Sequence, residues 1–76
     1  MPNKTKAQYL ALPVAANVPQ WKVILDDAAA NKGVVGVTSL VLGPVVKIVL
    51  EGPGGLTHEG QGATRHEAMA DAAGKF

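Results

Sequence analysis

Cysteine is absent from this 76-residue chain, so neither a disulfide framework nor a thiolate zinc site can reinforce the fold. Aromatic residues are scarce at 4%, against a hydrophobic share of 47%. The core must therefore come from burying Val, Leu, Ile and Ala, with Trp21 as its expected large anchor, and such a composition excludes a wholly disordered chain. A chain this short holds one small domain that buries only a modest share of its surface. Long hydrophobic runs are missing too. The longest, Val34 to Val46, is interrupted by Thr38, Ser39, Gly43 and Pro44 and cannot span a bilayer, so no membrane partner is expected. The lack of cysteine fits a reducing compartment, and an intracellular location is favoured.

Chemistry-bearing patterns are equally sparse. No Ser-His-acid set or paired carboxylates appear, and a domain this small has little room for a water-excluding cleft, so no enzyme is expected. The glycines at 52, 54, 55, 60 and 62 lack the Gly-Lys-Ser/Thr of a phosphate loop and read as turns; no cofactor follows from them. His58, Glu59 and His66 have metal-ligand chemistry, but two histidines on different elements without a thiolate do not make a metal site.

The net charge of +1 is unevenly spread. Residues 1–18 carry Lys4 and Lys6 with no acid, whereas residues 19–76 carry five cations against six acids and are slightly acidic. Phosphate binding by counterion release needs clustered cations, so affinity for nucleic acid is expected to be weak.

Residues 1–18 show no sustained period and contain Pro2 and Pro13, which reads as a flexible arm or linker on which Tyr9, Leu10 and Leu12 have an apolar surface to dock. From Pro19 the pattern changes. Trp21, Ile24, Leu25, Ala28 and Ala29 mark one face of a helix, Pro19 suits its first turn, and Gly33 supplies its stop. Two strands follow, roughly 35–42 and 45–51, joined by a tight turn at Gly43-Pro44. In the second, Val46, Ile48 and Leu50 share a core face, while Val45 and Val49 fall on the other beside Lys47 and Glu51. A short third strand runs from Leu56 to Glu59. Thr64-Arg65-His66-Glu67 has capping-box spacing, and Ala68, Ala72 and Phe76 then line one inward stripe of a closing helix. The expected class is α+β in the order α-β-β-β-α, with two helices on one face of a three-stranded antiparallel sheet. The helix pattern stops at Phe76, as expected of a domain cut from a longer protein.

The run from Gly60 to Phe76, GQGATRHEAMADAAGKF, resembles the closing segment of the double-stranded-RNA-binding domain family, whose pattern is G-x-G-x-S-K-K-x-A-K-x-x-A-A-x-x-L. The two glycines, the hydroxyl cap, Ala68, Ala72, Ala73 and the terminal apolar residue keep register without a gap. Leu25-Asp26-Asp27-Ala28 through Gly33 is similar to the family's first-helix stretch, so the resemblance covers residues 19–76. It implies recognition of duplex RNA by shape, across two minor grooves and the phosphates between them.

The same comparison shows what has been lost. The family's lysine cluster falls on Arg65, His66 and Met69, leaving one cation and one conditional cation, and its first-helix carboxylate falls on Asp27. The loop that enters a minor groove is replaced by Gly43-Pro44 running straight into Val45. One expected function is therefore weak, non-sequence-specific binding of double-stranded RNA through Arg65, His66, Lys75, Lys22 and Asp27, with Lys4 and Lys6 adding charge, in an RNA-processing protein or complex. The alternative is a protein-interaction module, a homodimer or a partner dock, built on Val45, Val49, Leu56 and Phe76.

Overall fold

In the computed structural model, residues 4–13 and 16–75 are described. Thr5 opens the first element, because its side chain accepts from the Gln8 N–H while the Gln8 side chain accepts from the Thr5 N–H at 2.8 Å. The resulting single turn, α1 (Lys6–Leu10), is followed by α2 (Gln20–Lys32), with Pro19 at its N-cap. Helix α2 stops at Gly33, which takes the left-handed conformation at φ 73° and donates back to the Ala28 carbonyl. Strands β1 (Gly36–Leu42), β2 (Val45–Glu51) and β3 (Thr57–Gly62) form one antiparallel sheet in that order, and α3 (Arg65–Gly74) closes the chain. The α-β-β-β-α order is thus present from residue 20 onward, with α1 added in front.

The register places Val46, Ile48 and Leu50 on the helix side of β2, and all three are buried. Directly opposite them on β3 lie Gly62, Gly60 and His58. A side chain at Gly60 would collide with the backbone of Ala68 and Ala72, and one at Gly62 would meet Glu67 and the Ala68 nitrogen. These two glycines are therefore strand residues over which α3 lies at backbone distance, not the turn residues expected, and β3 extends past Glu59 to include them. Ala68, Ala70, Ala72 and Ala73 are fully buried on the helix that makes this approach.

At the N-terminus of α3 the Thr64 hydroxyl accepts from the Glu67 N–H at 3.2 Å. Glu67 reaches back one residue further than the capping box requires, to the Ala63 N–H. Gly43 has φ 66° and precedes Pro44 in a two-residue connection between Leu42 and Val45, the arrangement of a type II′ hairpin turn.

Two expectations about the core change. Residues 4–12 are not a free arm: α1 packs against α3, and Tyr9 is fully buried within the main cluster. The physical reason lies at Gly74, where even a methyl group would press on the Lys6 backbone, so α1 can seat closely. Trp21, conversely, is only partly buried at the margin of the core, and Ala29 is exposed. Helix α2 packs chiefly on α3 rather than on the strands, which leaves β1 without a covering helix. The large anchor is Tyr9.

Replacing Tyr9 by Ala is expected to cost about 3–5 kcal/mol in chemical denaturation, the range for losing a buried aromatic side chain. Val35→Ala, at a side chain 76% exposed, is expected to cost about 0.5 kcal/mol or less. Equal costs at the two positions would show that residues 4–12 do not dock.

Candidate functional site

The residues expected to touch RNA are distributed over three elements and differ in how free they are. Lys22, on the exposed side of α2, pairs with Asp26 one turn later at 3.0 Å. Asp27 faces the opposite way, toward α1, and accepts from Lys4 at 2.8 Å. Lys75 follows α3, donates to the Glu59 carbonyl at 2.6 Å and lies 3.6 Å from Asp71. Asp71 also accepts from the Gln61 N–H and lies 3.8 Å from Lys6, so this end of α3 is tied to both β3 and α1. Lys47 pairs with Glu59 across the open face of the sheet at 3.2 Å. Exposed pairs of this kind contribute little to stability, and in each a carboxylate offsets the charge of its cation.

Arg65 is the exception. It occupies the first position of α3, is exposed, and among the described residues is the cation with neither a carboxylate within ion-pair distance nor a carbonyl to donate to. Its guanidinium stands near the positive end of the helix dipole, where an anion relieves the repulsion. Beside it His66 is half-buried, with Nδ1 enclosed and without a hydrogen-bond partner, which withdraws one ring nitrogen from any ligand. Arg65 also lines a cavity of about 180 Å³ on the helix side of the sheet, together with Trp21, Val37, Ser39, Ile48 and Met69. The structure therefore brings Arg65 and His66 together and leaves Asp27 and Lys75 engaged elsewhere.

Asp27 belongs to a polar cluster inside the domain. Lys32 donates to the carbonyls of Ala73 at 2.7 Å and Lys4 at 3.2 Å, and its ammonium lies 5.1 Å from the centre of the Tyr9 ring. The cluster thereby links the C-terminal end of α3 to α2 and to the segment before α1. The Tyr9 hydroxyl and one Asp27 oxygen are both buried without a partner at hydrogen-bonding distance. Burial, with the Asp27 carboxylate beside it, pushes the Tyr9 phenol up from 10.0 to about 12. Burial lowers Lys32, against the opposing pull of Asp27. These groups hold α1 and α2 together, and that structural duty explains why Asp27 is not presented to a ligand.

The residues expected at a protein interface separate as well. Val45 and Val49 lie on the helix-free face of the sheet and are half-buried, in register with Leu42 and Thr38 of β1. Leu56 is 54% exposed but sits at the opposite end of β2, beyond the Pro53–Gly55 turn. Phe76 lies outside the described residues. Sequence reasoning named no residue of β1, where Val37, Leu40, Val41 and Leu42 are 44%, 46%, 65% and 57% exposed. The available signal was charge: Gly36 to Leu42 contains none.

His58 and Glu59 point to opposite faces of β3, with His66 on α3, so the three do not converge. Among the described residues no group of three or more His, Cys, Asp or Glu stands close enough to hold a metal ion, and no helix is long and apolar enough to cross a membrane. No family model, curated protein or solved structure matches the chain.

Tyr9 is the chain's one tyrosine, so its ionisation can be followed by phenolate absorbance without ambiguity. A midpoint near 12 is expected in the folded protein, falling to near 10 on denaturation. Because the folded value is the higher one, the contribution of Tyr9 to stability is complete below pH 10 and is lost as pH rises through 12. A folded-state midpoint at the ordinary tyrosine value would contradict the buried placement.

Proposed function

We propose that this chain is a double-stranded-RNA-binding-type domain with weak, sequence-independent affinity for duplex RNA, acting within a larger RNA-handling protein or complex. The observation that most supports the reading is Arg65, an unpaired guanidinium in the first turn of the closing helix of an α-β-β-β-α domain. In the family that the sequence resembles, this turn meets the phosphates between the two minor grooves. His66 stands beside it, and Lys22 and Lys75 add charge by exchanging their carboxylate partners for phosphate.

The weakness follows from the same geometry. The two-residue turn at Gly43-Pro44 has no side chain long enough to enter a second groove, and Asp27 is committed to Lys4. Binding then rests chiefly on the first turn of α3, with charge-assisted contacts each contributing about 1.5–3 kcal/mol.

A second reading is favoured by a separate observation. The domain carries exposed apolar side chains on β1 and on the helix-free face around Val45 and Val49, which suits a protein-interaction module, including a homodimer. The two readings use different surfaces and are separable by experiment.

Titrating a labelled RNA duplex of roughly 16 base pairs at two salt concentrations tests the first. With one or two phosphates neutralised, the log–log salt slope is expected near about −1 to −2, and Arg65→Ala is expected to reduce its magnitude by about 1. Absence of binding at low salt would remove RNA from the account, and an Arg65→Ala variant that binds like the parent would remove Arg65 as its contact.

A further inference from the structure

Strand β1 is an edge that nothing blunts. Edge strands are ordinarily protected by charged residues, proline, bulges or a covering element. Gly36 to Leu42 has no charge and no proline, and α2 leaves it uncovered by packing on α3 instead. The other edge, β3, carries His58 and Glu59, and its glycines lie under α3.

The direction of the free backbone groups follows from the turn. A two-residue hairpin closes through the carbonyl of Leu42 and the N–H of Val45, which makes those residues a hydrogen-bonded pair. Alternation along the ladder then turns the N–H and C=O groups of Val37, Ser39 and Val41 away from β2, toward the open edge. The side chains of these residues lie on the helix side, opposite Leu50, Ile48 and Val46, while Thr38 and Leu40 lie on the helix-free side.

We propose that β1 pairs antiparallel with β1 of a second copy of this chain, about a two-fold axis at Ser39, joining the two sheets into one of six strands. This rests on the interaction reading above and specifies its surface. The sequence around Ser39 is self-complementary in the sense that an isologous contact requires. Val37 meets Val41 of the second copy on the helix side, Thr38 meets Leu40 on the other, and Ser39 meets its own equivalent. Valine faces valine on the helix side, the β-branched Thr38 faces Leu40 on the other, and no like charges oppose. A second copy is favoured over an unrelated strand because the two-fold at Ser39 sets Val37 against Val41 and Thr38 against Leu40 with no charge in either strand to oppose the pairing. The contact also closes: once both β1 strands are used, the outer edges are the charged β3 strands.

Val37 and Ser39 also line the cavity beside Trp21 and Arg65. The second copy's β1 therefore lies along its open flank. That position narrows access to the apolar lining while leaving Arg65 at the end of the sheet.

Sedimentation of the full chain across a wide concentration range tests this. The parent is expected to show a monomer–dimer equilibrium. Val41→Lys, which brings a cation into the pairing, and Ser39→Pro, which removes a donor at the free edge, are each expected to raise the dissociation constant roughly tenfold or more. Helical circular dichroism should be unchanged in both, since Val41 is exposed and the Ser39 N–H faces away from β2. A dimer that survives both substitutions and is lost in Leu56→Lys would overturn the β1 pairing while keeping the interaction reading. A parent that is monomeric throughout would overturn the β1 pairing and leave the interaction reading to a partner other than this chain.

Discussion

Contact between the backbones of α3 and β3 is the constraint on which the rest of the structure depends. Because Gly60 and Gly62 have no side chains and Ala68 and Ala72 have the smallest, the helix comes down directly on the strand. That close seat fixes where every other element can go. Ile48 and Leu50 of β2 fill the space beside it, Tyr9 and the α2 residues Ile24 and Ala28 complete the cluster, and α1 fits at Gly74 for the same reason that α3 fits at Gly60. Small residues here set geometry more than they supply buried area. In a domain with so few aromatic side chains, the burial gained around α3 is most of what the core has.

The same contact accounts for the division of surfaces. Seated on β3 and β2, α3 points its first turn, with Arg65, toward the side of the sheet where β1 lies, and α2 stacks on α3 instead of reaching the strands. One consequence is a free guanidinium at a helix start; another is an apolar strand without cover. The RNA reading draws on the first and the self-pairing reading on the second, so both are products of one packing decision. Polar groups elsewhere are spent internally. Lys32, Lys4 and Asp27 join the two early helices to the end of α3, and Asp71 joins α3 to β3.

Elements whose identity is set locally were legible in the sequence. Thr64 and Glu67 announce the start of α3, Gly33 the end of α2, Gly43-Pro44 the hairpin, and the alternation of Val46, Ile48 and Leu50 the buried face of β2. The α1 turn has a local mark, the capping-box spacing of Thr5 and Gln8, but the prolines at 2 and 13 and the lack of a period mask it. Other features depend on distant partners and leave no local mark. Nothing near Tyr9 shows that it outranks Trp21 as the anchor, since that is decided by where α1 meets α3. Gly60 and Gly62 suggest turns because glycine most often punctuates, whereas here its role is to admit another backbone. Of the candidate site, Arg65 was identifiable from its place behind Thr64, but the occupation of Asp27 by Lys4 and the exposure of β1 follow only from how the helices stack.

Gly60→Ala is the most direct test of the central claim, read as the change in unfolding free energy by chemical denaturation beside Gly36→Ala. An added methyl at Gly60 meets the α3 backbone at Ala68 and Ala72, whereas one at Gly36 meets only the Glu51 side chain, 3.4 Å away. The account predicts a loss of about 1–3 kcal/mol or more at position 60 and a much smaller change at position 36. Gly60→Ala with the stability of the parent would mean that α3 does not rest on β3, and would contradict the packing on which both proposals draw.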